Sequence, residues 1–128
     1  MSTLVVNTIK DGTDSTSTST TFVVNGSAKQ WAFINGLGSP TLQDSINVSS
    51  VSDLTTGEVG FNCTNIFSNL FYSATFTCQE SSGVRTMQEV ESSSTHSRLT
   101  TMTYSKSHTT SSATDVEGRS HTVHGELA

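Results

Sequence analysis

Large and small apolar residues return at alternate positions along much of this chain, with hydroxyl or amide side chains between them. The clearest run is Tyr72-Ser73-Ala74-Thr75-Phe76-Thr77-Cys78, which puts Tyr72, Ala74, Phe76 and Cys78 on one face and Ser73, Thr75 and Thr77 on the other. Period-two alternation is the mark of a half-buried strand. Val59, Phe61 and Cys63 repeat it in "VGFNC" (59–63). In "AKQWAFING" (28–36), Trp31 and Phe33 share one face and Ala32 and Ile34 the other, so both faces are candidates for cover. The runs at 83–90, 98–105 and 120–127 read as further strands, and "TFVVNG" (21–26) as a strand closed by an Asn-Gly turn. "SINVSSV" (45–51) reads as one strand with Ile46 and Val48 on the same side; keeping Val51 inward as well requires a bulge or a register change.

One segment departs from the alternation. In "NIFSNLF" (65–71) the apolar residues Ile66, Phe67, Leu70 and Phe71 suit either a single helical turn or an apolar loop over the end of a sheet. Gly36 and Gly38 with Pro40 mark a turn, 53–58 a loop, and the serine-rich stretches 91–97 and 107–114 exposed loops. Many short strands and no long helix predict an all-β fold, a compact antiparallel β-sandwich of jelly-roll-like form. The chain divides into residues 1–21, a strand and flexible arm, and residues 22–128, the sandwich. Within the arm, "TLVVNTI" (3–9) offers Leu4, Val5, Val6 and Ile9, and the polar stretch 11–21 reads as a leash. Such a strand either adds to a partner's sheet as an assembly device or is an ordinary first strand with a long loop.

Composition changes the picture in one respect. Hydrophobic residues make up 32% of the 128 positions and charged residues 13%. Serine and threonine fill the deficit, at about a third of the chain. Low apolar content would suggest disorder if the charge were high, but the net charge is only −5. A thin core helped by subunit contacts is the better reading, and a homo-oligomer the expected state. Six Lys and Arg against eleven Asp and Glu leave no basic patch for phosphates, so nucleic acid is not an expected partner. The opening "MSTLVVNTIKDG" lacks a basic, apolar leader, and no stretch is apolar enough to insert in a membrane. The N-x-S/T matches at Asn25, Asn47 and Asn62 are what chance supplies in so hydroxyl-rich a chain. Cys63 and Cys78 are expected as reduced, buried thiols.

A search for chemistry finds no nucleophile elbow, phosphate loop or zinc-binding histidine pair. His121 and His124 would meet on a helix but face apart on a strand. Glu80, Glu89 and Glu91 are read as solvated. Trp31, Tyr72 and Tyr104 are the aromatics that could bind a sugar if exposed, but they fit core positions at least as well, so the sequence yields no carbohydrate site. No catalytic, metal or cofactor site is assigned, and a non-enzymatic protein is expected.

The segment "AKQWAFINGLGSPTLQDSINVSSVSD" resembles a domain found in virion appendage proteins of marine bacteriophages, described as tail-fibre-like. The likeness rests on Ala28, Lys29, Trp31, Phe33, Asn35, Gly36, Asp44, Ser45, Asn47, Val48, Ser49 and Ser50. Residues 2–11 and 123–128 are also similar to the family's ends, while 79–120 match weakly. Gln43 stands where the family commonly has Arg, and Gly57 is what remains of the glycines that usually follow "SSVSD". The resemblance implies a bacteriophage structural protein located on the virion, with other capsid or tail proteins as partners and no catalytic residues to carry over. The lack of a long shaft suits a capsid decoration or cement protein, with a trimer favoured; the alternative is a small tail component acting as an adhesin for a host-surface glycan.

Overall fold

The structure is a computed structural model that describes residues 5–10, 17–81, 83, 85–89, 98–109 and 112–128. Eight antiparallel strands form a sandwich of two four-stranded sheets. The first sheet has the order β4 (Thr41–Ile46), β3 (Gln30–Asn35), β10 (Gly118–His124), β7 (Ser73–Gln79). The second runs β5 (Val48–Thr55), β6 (Glu58–Cys63), β9 (Met102–His108), β8 (Thr86–Gln88). The four-plus-four division fits the expected sandwich. Three sequential pairs, β3–β4, β5–β6 and β8–β9, remain neighbours within their sheets.

The segment read as one strand over 45–51 is two. Asn47 has φ 59°, a left-handed conformation that Asn tolerates better than most residues, and there the chain leaves the first sheet for the second. Its side chain closes the junction: Oδ1 accepts from the backbone N–H of Asn65 at 2.6 Å, and Nδ2 donates to the Asn65 carbonyl at 3.0 Å. Because the chain turns there, Ile46 and Val48 do not share a face. Ile46 is 53% exposed outside the first sheet, whereas Val48 is buried between the sheets. The bulge demanded by Val51 is present. Val48 pairs Cys63 and Ser50 pairs Asn62, which leaves Ser49 as the extra residue, and Val51 packs on the core. The region read as a loop over 53–58 is tighter than expected: β5 reaches Thr55, β6 begins at Glu58, and Gly57 (φ 74°) supplies the left-handed turn position.

Ala32, Ile34, Val48, Val59 and Phe61 form the main core, with Leu42 and Val51 packed on it. Only the Ala32 and Ile34 face of β3 is buried; Phe33 is 40% exposed and Trp31 is half-buried on the outer side. A second cluster of Phe67, Tyr72 and Val123 seals one end. Of the two readings for 65–71 the loop holds: Phe67 bridges Leu127, and its ring lies 5.0 Å from that of Tyr72. Tyr72 and Tyr104 are buried as expected. Gly36, by contrast, has ordinary backbone. It must be glycine because a Cβ would lie 2.8 Å from the Val116 carbonyl oxygen.

The N-terminal segment differs most from its reading. Residues 21–26 are helical, not extended: α1 spans Thr20–Gly26. A run of β-branched residues reads as strand, but Ser19 caps the helix by accepting from Thr21 N–H at 3.2 Å. Among the described residues of the expected strand 3–9, 5–7 are irregular and β1 (Thr8–Lys10) begins at Thr8, and part of the polar leash returns as β2 (Ser17–Ser19) to pair with it. Leu4 lies outside the described residues.

Candidate functional site

Alternation along the first sheet decides what its outer face presents. Neighbouring residues across β3, β10 and β7 form three rows: Trp31–Thr122–Thr75, Phe33–Ser120–Thr77 and Asn35–Gly118–Gln79. The face is therefore a ladder of hydroxyls beside two aromatic rings, with amides at one end. At that end is an open cleft of about 270 Å³ lined by Phe33, Asn35, Gln43, Gln79, Glu117 and Gly118.

Two local features build this cleft. Phe33 pairs Asp44 but Ile34 pairs Leu42, so Gln43 is the extra residue of a bulge, and its side chain lines the cleft. Bulges commonly re-aim a side chain in this way. Gly118 forms the floor. A Cβ there would lie 3.1 Å from Gln79 Cβ and 3.3 Å from Phe33 Cε2, so its absence lets the ring and the amide approach across β10. The polar groups are held in place. Asn35 Oδ1 accepts from Leu37 N–H at 3.0 Å, Gln43 Nε2 donates to Thr41 Oγ1 at 3.0 Å, and Glu117 Oε1 accepts from Ser81 Oγ at 2.6 Å.

The other end of the same face carries a second open cleft, of about 370 Å³, whose lining includes Asn69, Phe71, His124 and Glu126. Phe71 is 91% exposed, and Asn69 Oδ1 accepts from its backbone N–H at 2.8 Å. Each cleft thus combines an exposed phenyl ring, carboxamides and one carboxylate.

The titratable groups that look chemically promising are elsewhere, sealed between the sheets. His121 Nε2–H donates to Gln30 Oε1 at 2.9 Å, and Thr103 Oγ1 donates to the same oxygen at 2.7 Å. Gln30 Nε2 in turn donates to the Asn47 carbonyl and to Cys63 Sγ, each at 3.3 Å. The Phe61 ring lies 3.9 Å from the imidazole, tilted 42° to it, and burial pushes the His121 pKa down to about 3. A neutral imidazole beside a hydroxyl is a base beside a nucleophile in principle. Here both are buried, and the hydroxyl proton is committed to Gln30. Further along, the fully buried Arg119 donates to the carbonyls of Gly57 and Ser105 (3.1 Å each), to Ser105 Oγ (3.2 Å) and to Ser107 Oγ (2.9 Å). Burial holds its pKa below the usual guanidinium value, partly offset by the Asp115 carboxylate and by Cys78. The same burial raises the Cys63 thiol, opposed by its bond from Gln30. These groups hold the sheets together.

No protein-family model, curated protein or solved structure matches this chain. The functional reading therefore rests on geometry and on the sequence resemblance.

The residues singled out by sequence separate by role. Val48 is core, Asn47 is the junction between sheets, and Gly36 is a close contact. Phe33 and Asn35 line the cleft; Trp31 lies on the same outer face, and Asp44 is exposed, accepting from Ser45 N–H at 2.8 Å. Of the arm residues, Val5, Val6 and Ile9 are 85%, 41% and 47% exposed. Phe22, Val23 and Val24 of α1 are also exposed, which the strand reading of that segment hid. Cys63 and Cys78 are free thiols, half-buried rather than fully so. His121 points in and His124 out, as alternation required. Among the described residues no three His, Cys, Asp or Glu side chains gather as a metal site.

Two expectations fail for the same reason, that polar groups pair inside this fold. Glu80 and Glu89 are not solvated: Glu80 lies 3.6 Å from Arg85 and Glu89 2.6 Å from Arg98, which also sits 4.8 Å over the Tyr72 ring. Glu91 is outside the described residues. Ser107, read as the start of an exposed loop, is a buried strand residue bonded to Arg119. Gln43 and Gln79 were missed because a cleft built by a bulge and a glycine floor leaves no mark in a hydropathy pattern.

Proposed function

We propose that this chain is a non-enzymatic structural protein of a bacteriophage particle, held by its N-terminal segment and presenting the sandwich outward as a capsid decoration or cement protein. The observation that carries the anchoring is the apolar surface offered by residues 5–10 and 20–26. Val5, Val6, Ile9, Phe22, Val23 and Val24 are all exposed, and α1 buries no residue. Two paired three-residue strands and a seven-residue helix are too short to be stable without tertiary cover. Docking on a larger assembly supplies that cover, and repeated copies, with a trimer as the favoured unit, multiply a weak contact by avidity. The virion setting comes from the likeness of residues 28–53 to the tail-fibre-like domain.

Deletion of residues 1–12 tests the anchor. The expected result is loss of the protein from purified particles while the sandwich still unfolds cooperatively at the same temperature. Unchanged incorporation would overturn it. A second reading, an adhesin for a host-surface glycan, is favoured by one specific observation: the exposed aromatic and amide face of the first sheet.

A further inference from the structure

The structure assigns a ligand class to that face. We propose that the cleft around Phe33 binds a neutral, hydroxyl-rich saccharide, and that the hydroxyl ladder leading away from it carries the rest of an extended glycan. The inference deepens the adhesin reading and rests on it for its biological use; the anchoring proposal stands or falls separately.

The lining selects the ligand by exclusion and by fit. It contains no Lys or Arg, and its one charge is the Glu117 carboxylate, so phosphate, sulfate and acidic sugars are disfavoured. Three carboxamides make it a poor match for a purely apolar guest, since each would lose water without gaining a partner. A sugar hydroxyl both donates and accepts, as a carboxamide does. The Gln79 amide makes no side-chain hydrogen bond to another described residue, and Gly118 leaves it open beside Phe33. The Phe33 ring, 40% exposed, offers an apolar face to the C–H side of a pyranose while its neighbours meet the hydroxyls. Glu117, already accepting from Ser81 Oγ, keeps a second oxygen for a further hydroxyl.

The face is also long enough for a chain of sugars. From Gly118 at one cleft to Gly125 at the other, β10 and the next residue span about 24 Å at strand rise. Between them lie Ser120 and Thr122, with Thr75, Thr77 and Trp31 alongside. The far cleft shares a phenyl ring, carboxamides and a carboxylate with the near one, through Phe71, Asn69, Asn25 of α1 and Glu126, and adds the His124 imidazole. A polymer laid along the sheet would meet an aromatic ring and an amide at both ends.

The test uses the full chain against immobilised neutral polysaccharides (mannan, galactan and dextran), with heparin as the anionic control. At least one neutral polymer is expected to bind, with little change between low and high salt because no ion pair is involved. Phe33→Ala and Gln79→Ala should each weaken binding about tenfold or more, Phe33→Trp should retain it, and all three should melt as the parent does. Binding to none of the neutral polymers would overturn the proposal. So would salt-sensitive binding to heparin alone, or neutral binding that Phe33→Ala leaves unchanged. Adsorption of whole particles to host cells separates the two layers. If adsorption proceeds unhindered by excess Phe33-dependent polysaccharide, the adhesin reading fails while the site stands. If the chain adheres to cells and Phe33→Ala does not weaken it, adhesion stands and this site fails.

Discussion

His121 shows how one side chain can set the response of a fold to acid. Its imidazole is 2% exposed and is held neutral by loss of hydration, with a folded pKa of about 3 against 6.5 for the unfolded group. Between those values the unfolded chain binds the extra proton, so stability falls as pH falls from 6.5 toward 3. Each unit costs about 1.4 kcal/mol, hence about 2 kcal/mol on going from pH 7 to pH 5. The variant His121→Phe keeps an aromatic ring against Phe61 and leaves Gln30 Oε1 its bond from Thr103. Urea unfolding at pH 7 and pH 5 should show the parent losing about 2 kcal/mol more than the variant. Equal losses would mean that the histidine is solvated or already charged in the folded protein.

At the scale of strands, the position that matters most is where β4 becomes β5. Asn47 both adopts the left-handed backbone and, through its amide, takes the place of a strand partner for Asn65. The two tasks can be separated. Asn47→Ala loses the bonds and keeps the strain, for about 2–3 kcal/mol; Asn47→Gly loses the bonds but relieves the backbone, and should be more stable than the alanine variant by about 1 kcal/mol. Chemical denaturation of the three proteins checks this order, and equal stability of the two variants would remove the strain from the account. The same junction explains what could be read from sequence. Alternation marked β6 and β7 as strands and put Val59 and Phe61 on a buried side of β6, but it predicted a half-buried strand there, and Glu58 and Gly60 on the other side are buried as well. It also required a bulge or a register change to bring Val51 inward, and the bulge falls at Ser49. It could not reveal a mid-run change of sheet, because Ile46 and Val48 obey the period on either side of the turn. Nor could it separate strand from helix in "TFVVNG", where neither face is buried and local capping decides. The cleft was the least legible part. Phe33 and Asn35 stood out as motif residues, yet Gln43, Gln79 and Gly118 join them only through pairing across three strands.

Taken as a whole, the molecule is a sandwich of two four-stranded sheets preceded by an exposed apolar segment. On the functions proposed above, Val5, Val6, Ile9, Phe22, Val23 and Val24 would serve attachment and the outer face of the first sheet recognition, while the interior joins the sheets. That interior is unusual in what it contains. Gln30, Thr103, Ser105, Ser107, Arg119 and His121 are all buried between layers where aliphatic side chains would normally meet. Exposure of apolar surface raises the heat capacity on unfolding and exposure of polar surface lowers it. A core of hydroxyls, amides and a guanidinium should therefore unfold with a heat-capacity change below the usual ~12–15 cal/mol/K per residue, which scanning calorimetry over a pH series would measure. A value at or above that range would mean that the polar seam is hydrated or less buried than described. A low value flattens the dependence of stability on temperature. The seam between the sheets would then do more than fasten them: it would let one protein keep nearly the same margin of stability in cold and in warm water.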